Sequence, residues 1–383
     1  MGRKFLIIDD SALMRRVISD IIKADSEYEV LDYAANGVEG FDRLVSHPGY
    51  YDLVILDINM PKMNGLEMLE MLQKNHMEES VVVVSTMAKE GAKETIRALE
   101  LGALDFVTKP ENFYEVKGEG FRTNMLRMIE LVTGGDFNKK NLASAGNRHK
   151  SSHGRKKSEV QITDNSRKEE TAATKDAGKP VRGSVKNKKN MTKVVAMACS
   201  TGGPKSLQQV IPLLPGNLDA GVVLVQHMPK GFTASLASRL NALSEIEVSE
   251  AVDGEPIRKG HVYIAPGGMH IRIEKQGGEY IIKYHDVPPV EGLKPCANIM
   301  YDSLKNTDFD EITCVVMTGM GSDGTKGIKS LSESNKNIHV ISQSAESCVV
   351  YGMPRTVAEA GLSDEVKSLD EIAESIIKNV GVS

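Results

Sequence analysis

Lys193-Val-Val-Ala-Met-Ala-Cys-Ser-Thr-Gly-Gly-Pro204 reads as a buried strand that turns sharply into a helix, with the hydroxyl of Ser200 standing at the turn. Pro204 suits the first turn of that helix, where its missing N–H would be unbonded in any case, and the glycines let backbone approach a substrate closely. A serine ahead of Thr-Gly-Gly-Pro serves most often as a helix cap or a phosphate-loop hydroxyl. A reactive role therefore requires a base and an orienting acid at other strand ends.

Two further strand-like runs supply them. Gly221–Gln226 is followed by His227, and Ile312–Thr318 by Asp323 in Thr318-Gly-Met-Gly-Ser-Asp-Gly324. Serine alone is a poor nucleophile. It needs a base within hydrogen-bond reach, and the base needs a carboxylate to fix its tautomer and stabilise its charged form. The three residues meet if the strands are parallel neighbours. Each alone has an ordinary structural explanation, but their joint placement at strand ends points to a Ser200, His227, Asp323 relay. The order Ser, His, Asp and the absence of GxSxG separate it from the common hydrolase fold. Cys199 should face the opposite side of its strand, and His261 and His270 are expected to flank a hairpin around Ala265-Pro-Gly-Gly268. Asp302 and Asp310 lack a comparable glycine loop.

Upstream of this half, residues 138–190 hold fifteen Lys/Arg against five Asp/Glu, so the net charge of −5 hides a basic tether between acidic flanks. The tether is rich in Ser, Asn, Lys and Gly and poor in aliphatic side chains, and cannot bury enough surface to offset the entropy of ordering. It lacks the interleaved aromatics of a nucleic-acid binder. It divides the 383 residues into two α/β halves: 1–120, then a connecting helix and basic flexible linker over 121–190, then 191–383.

In the first half Lys4–Asp9, Glu29–Ala34, Leu53–Asp57, Val81–Ser85 and Asp105–Thr108 read as strands between helical patterns such as Met14, Val17, Ile18, Ile21 and Ile22. Five strands alternating with helices imply a parallel, doubly wound sheet with its site at the carboxyl strand ends. Asp9, Asp10 and Asp57 converge there and repel one another unless a hard cation sits among them, which makes Mg²⁺ the expected ion. Beside it Asp57 can accept a phosphoryl group, with Lys109 offsetting charge and Ser85 bonding the phosphate.

Ile7-Ile-Asp-Asp-Ser-Ala12, Leu56-Asp-Ile-Asn-Met-Pro-Lys-Met-Asn-Gly65 and Asp105-Phe-Val-Thr-Lys-Pro110 resemble the motifs of response-regulator receiver domains. The resemblance implies a (βα)5 fold and phosphorylation of Asp57 by a chemotaxis histidine kinase. It also implies a Mg²⁺ set of Asp10, Asp57 and the Asn59 backbone assisted by Asp9, and a switch of Ser85, with Thr86 beside it, Phe106 and Lys109. In the second half, Cys199-Ser-Thr-Gly-Gly-Pro204, Gln226-His-Met-Pro-Lys-Gly-Phe-Thr233, His261-Val-Tyr-Ile-Ala-Pro-Gly267, Met317-Thr-Gly-Met-Gly-Ser-Asp-Gly324 and Ser347-Cys-Val-Val-Tyr-Gly-Met-Pro-Arg355 resemble the chemotaxis protein-glutamate methylesterases, the CheB family. That resemblance implies a three-layer α/β domain with a parallel sheet. It implies hydrolysis of glutamate γ-methyl esters on methyl-accepting chemotaxis receptors, deamidation of receptor glutamines, and an oxyanion hole from the backbone N–H groups of Thr201 and Met320. It needs no cofactor in the catalytic half.

Composition narrows the field further. No run approaches the ~20 apolar residues of a membrane span, and Met1-Gly-Arg-Lys leads straight into a strand, so a cytoplasmic protein without membrane insertion is expected. Four cysteines without metal spacing read as reduced core thiols. A receiver-linked DNA-binding regulator would need a helix-turn-helix reader that a βα output half does not offer. A phosphate- or nucleotide-binding module would need a Walker lysine or GxGxxG, and neither is present at Ser200. A monomer that binds no nucleic acid is the expectation.

Overall fold

The computed structural model describes residues 3–24, 28–110, 119–134, 192–334 and 336–383. The basic tether lies outside the described residues.

Strand alternation builds the first unit. β1 (Arg3–Ile8), α1 (Ala12–Lys23), β2 (Tyr28–Ala34), α2 (Gly37–Ser46), β3 (Leu53–Asp57), α3 (Gly65–Lys74), β4 (Val81–Ser85), α4 (Lys89–Glu100) and β5 (Asp105–Thr108) are followed by α5 (Glu119–Thr133). The strands form one parallel sheet in the order β2-β1-β3-β4-β5. Successive side chains of a strand point to opposite faces. Phe5 and Ile7 accordingly enter the core beneath α1 and α5 with Ile18, Ile22, Met125 and Ile129, while Leu6 and Ile8 enter the one beneath α2 to α4 with Leu44, Leu69 and Ile96. The helix expected to connect the halves, α5, packs against one face of the first sheet.

The second unit is a seven-stranded parallel sheet. Its elements are β6 (Lys193–Cys199), α6 (Gly203–Val210), β7 (Gly221–Gln226), α7 (Phe232–Leu243), β8 (Glu247–Glu250), β9 (His261–Ile264), β10 (His270–Gln276), β11 (Glu279–His285), α8 (Ala297–Ser303), β12 (Glu311–Val316), α9 (Thr325–Ser332), β13 (Ile338–Gln343), α10 (Met353–Glu359), β14 (Glu365–Lys367) and α11 (Ile372–Val380). The sheet order is β14-β13-β12-β6-β7-β9-β8. Val195 and Met197 of β6 pack with α6, α7 and α11, and Val194, Ala196 and Ala198 with α8, α9 and α10, which gives the three layers.

One expectation is corrected. No hairpin forms around Ala265-Pro-Gly-Gly268. β9, ending at Ile264, pairs in parallel with β7 and β8, and His261 and His270 belong to different sheets. The hairpin is β10–β11, turned by Gly277 and Gly278 at φ of 60° and 87°. A type I′ turn needs positive φ at both central positions, which two glycines supply, whereas Pro266 has neither that freedom nor an N–H to pair.

The two units meet closely. α4 packs against α7 and α6. Phe106 at the end of the first sheet lies against Phe232 at the start of α7, ring centres 4.5 Å apart. Arg239 of α7 grips Glu100 of α4 through Nε and Nη2 at 2.5 and 3.2 Å. Val349 and Val350, ahead of α10, join the core that α5 caps. Among the described residues no helix is long and apolar enough to cross a membrane.

Candidate active site and its acidic companion

β12, β6 and β7 are adjacent and parallel, so their carboxyl ends bring together Asp323, Ser200 and His227, one just past each strand. The chain leaves β6 toward β7 on one side and returns through β12 on the other. The serine therefore sits where the strand order reverses, the usual position of an α/β crevice. Ser200 N–H donates to Thr318 O at 2.9 Å, which holds the β6 turn against the β12 loop. Only glycine fits at 319, because a Cβ there would meet Ser200 Cβ at 2.7 Å.

The structure closes one half of the expected relay. His227 Nε2 donates to Asp323 Oδ2 at 2.8 Å, and both side chains are buried. Nδ1 of the ring is buried with no hydrogen-bond partner among the described residues. Ser200 is 6% exposed and lines a cavity of about 140 Å³ with His227, and no hydrogen bond joins the two side chains. Such bonds commonly tighten only once substrate is bound. Thr201 and Met320 line the same cavity, and neither backbone N–H has an acceptor among the described residues.

Asp323 is the most heavily hydrogen-bonded carboxylate of the site. Oδ2 also accepts the N–H of Ala297 at 2.6 Å, and Oδ1 accepts Cys296 Sγ at 3.1 Å, Asn298 N–H at 2.9 Å and Gly324 N–H at 3.0 Å. Burial pushes its proton affinity up, but His227 and the N–H groups of Ala297 and Asn298 outweigh it and hold the carboxyl below its ordinary range. Asn298 Oδ1 in turn accepts Gly324 N–H and Gly327 N–H, fixing the loop that carries Asp323. Gln226 spans the opposite wall, donating from Nε2 to Ser200 O at 3.0 Å and accepting Cys199 Sγ at 3.0 Å. Cys199 is thus buried and bonded to Gln226, away from the Ser200 hydroxyl. Sequence reasoning missed Cys296, Asn298 and Gln226. Lys294-Pro-Cys-Ala-Asn298 was the available signal, a polar cluster opening a short helix.

At the other sheet, Asp9, Asp10 and Asp57 place carboxylate oxygens within 4.8 Å of one another. Lys109 Nζ lies 2.7 Å from Asp57 Oδ2 and 3.1 Å from Asp9 Oδ2. Burial pushes Asp57 up to about 6; Lys109 pulls it down and Asp9 pushes it up again. Asp9 Oδ2 is buried and lacks a well-aligned hydrogen bond. One ammonium among three clustered carboxylates leaves an excess of negative charge, a donor set that fits a hard divalent cation. Asn59 N–H approaches Asp57 Oδ1 at 3.4 Å, which puts this residue's backbone at the cluster.

The hydroxyl and aromatic of the expected switch face elsewhere. Ser85 Oγ accepts Thr95 Oγ1 at 2.6 Å and lies 3.2 Å from Gly91 O, so it is engaged with α4, while Thr86 is exposed. Phe106 is 8% exposed and turned onto Phe232.

The two sites are joined through β5. The Thr201 hydroxyl donates to Asp105 Oδ2 at 2.7 Å, and Asp105, Phe106, Asn124, Arg127 and Met128 of the first unit line the cavity that holds Ser200 and His227. Burial raises Asp105 above its ordinary range, opposed by the Thr201 hydroxyl, the Phe106 N–H and Arg127. The first unit is therefore seated over the mouth of the second unit's site.

Comparison with known proteins gives a consistent result. The CheB methylesterase family matches residues 195–376, and the response regulator receiver domain family matches residues 5–118. A protein-glutamate methylesterase/protein-glutamine glutaminase of Geobacillus kaustophilus is 39% identical over 385 residues, covering 99% of each chain. One from Bacillus subtilis is 39% identical over 383 residues, covering 97% of each. The crystal structure of the Thermotoga maritima CheB methylesterase catalytic domain is 41% identical, covering 49% of this chain and 98% of that one with a TM-score of 0.47.

Proposed function

The chain belongs to the CheB methylesterase family, with a receiver domain ahead of the catalytic domain, and from that premise we propose a phosphorylation-gated serine hydrolase whose relay is Ser200, His227 and Asp323. Its substrates are glutamate γ-methyl esters of methyl-accepting chemotaxis receptors, and the corresponding glutamine amides, hydrolysed in the cytoplasm during chemotactic adaptation.

The observation that carries the chemistry is the 2.8 Å bond from His227 Nε2 to Asp323. It commits Nε2 and its proton to the carboxylate and leaves Nδ1 with the lone pair, so Nδ1 is the base. Ser200 Oγ attacks the ester carbonyl carbon as its proton passes to Nδ1. The N–H groups of Thr201 and Met320, which have no acceptor among the described residues, receive the charge that develops on the carbonyl oxygen, each such donor contributing ~2.7–4 kcal/mol in comparable sites. The tetrahedral adduct expels methanol, protonated from Nδ1. Water then attacks the acyl-enzyme, giving its proton to the same nitrogen, and the free glutamate leaves as the serine regains its hydrogen. An amide substrate takes the same path with ammonia as the leaving group.

Control belongs to the receiver. Asp9, Asp10, Asp57 and the Asn59 backbone would hold Mg²⁺, which supplies charge neutralisation for a phosphoryl group entering from a chemotaxis histidine kinase. Asp57 accepts that group and Lys109 pairs with it. The gate is supported by the seating of Asp105, Phe106 and α5 on the catalytic cavity. Phosphorylation weakens this seat and admits the receptor helix. The test is methanol release from methylated receptor by wild type, Ser200→Ala and Asp57→Asn, with and without a small phosphodonor. Loss in the serine variant, with loss of phosphodonor response alone in the aspartate variant, is expected. Equal rates in all three would overturn the reading.

A further inference from the structure

A buried thiol shares the carboxylate that orients the base. Of the groups donating to Asp323, three are backbone N–H groups of Ala297, Asn298 and Gly324, fixed by the start of α8 and the loop before α9. Besides His227, Cys296 is the one side chain donating to Asp323 among the described residues, with Sγ 3.1 Å from Oδ1. It is 1% exposed, so bulk water cannot take its place. Burial, and then the charge of Asp323, push the thiol up to about 12, which keeps it protonated and a donor at physiological pH. A carboxylate can rotate about its Cβ–Cγ bond, and the direction of Oδ2 toward His227 depends on what grips Oδ1.

We propose that Cys296 is a positioning residue for the reaction. Its S–H holds Oδ1 so that Oδ2 stays aligned with Nε2 of His227, and through that bond it sets how strongly the ring is drawn to its charged form. The inference rests on reading Ser200, His227 and Asp323 as a hydrolytic relay. Removing the donor leaves a buried carboxylate one partner short. Asp323 then keeps more charge for the imidazolium, and its plane is less well fixed. Tyr301, His270 and Lys326 also sense the charge of Asp323, but none of them donates a hydrogen bond to it among the described residues.

The test compares Cys296→Ala and Cys296→Ser in the full-length, phosphodonor-treated protein. Two rates are read: methanol release from methylated receptor, and labelling of Ser200 by a fluorophosphonate. For Cys296→Ala, kcat should fall about 5- to 30-fold with KM nearly unchanged, the size expected for one lost charge-assisted hydrogen bond. The acid limb of kcat/KM should move to higher pH, and labelling should slow in parallel. Cys296→Ser, which restores a donor, should recover most of the rate and return the limb. Should Cys296→Ala fail to fold, Cys296→Val fills the volume without a donor and is read the same way. A donor-less variant with wild-type kcat and an unmoved limb would sink the proposal. So would Ala and Ser variants that are equally slow, since the site would then depend on volume alone. A wild-type protein that labels at Ser200 yet releases no methanol would overturn the methylesterase reading instead, leaving the labelling rates to judge Cys296.

Discussion

Asp57 and Asp323 are two buried carboxylates at the carboxyl ends of parallel sheets, and their surroundings drive them in opposite directions. Asp57 shares its pocket with other carboxylates and is pushed up to about 6 by burial, with one ammonium to oppose it. Asp323 is wrapped in hydrogen-bond donors that hold it below its ordinary range. On the function proposed above, the first would receive positive charge, from a cation and from the phosphorus of a phosphodonor. The second is built to stay anionic while a neighbouring ring changes charge. Fold class is common to both; the donor count around the oxygens separates the proposed phosphoryl acceptor from the proposed orienting group.

The largest effect that tests this contrast is at the nucleophile. Ser200→Ala should lower methanol release by at least about 10⁴-fold. Asp323→Asn should come next with a loss of about 10³- to 10⁴-fold in kcat, because an amide misdirects the imidazole proton. If Asp323→Asn were nearly silent, the distinction drawn between the two carboxylates would fail. Asp57→Asn, or removal of divalent cations with EDTA, should abolish the response to a phosphodonor while leaving the resting rate in place. A resting rate that fell with EDTA would place a metal in the catalytic half. The smallest effect is expected at the seam. Arg239→Ala removes a two-pronged grip on Glu100 and should raise the resting esterase rate about two- to fivefold, the scale of a half-exposed ion pair.

Much of this was legible in the sequence, for an identifiable reason. The buried runs Val81–Ser85 and Lys193–Cys199 are apolar on both faces, so their strand character and parallel neighbours could be read without tertiary information, and their ends match the structure. Ser200, His227 and Asp323 were visible because each comes after such a strand. Their surroundings were not. Cys296 and Asn298 reach Asp323 from more than twenty residues away, across a loop whose path no local pattern specifies. The Pro-Gly-Gly of 266–268 imitated a hairpin signal, while the true turn at Gly277-Gly278 carried the stronger pattern. Ser85 could be placed at its strand end, but its bond to Thr95 depends on how α4 lies. The docking of the units is a relation between two surfaces, and Phe232 and Arg239 look like ordinary helix residues until α4 and β5 are laid against them.

The Phe106–Phe232 contact has an optical consequence. The chain contains no tryptophan, so its near-ultraviolet emission is that of tyrosine alone. Phe232→Trp would place a single indole against the ring of Phe106, dark to every other part of the molecule and sensitive to the arrival of water. Its emission should move to longer wavelength when the units part, turning a packing contact into a gauge of opening that can be read in real time, independently of turnover.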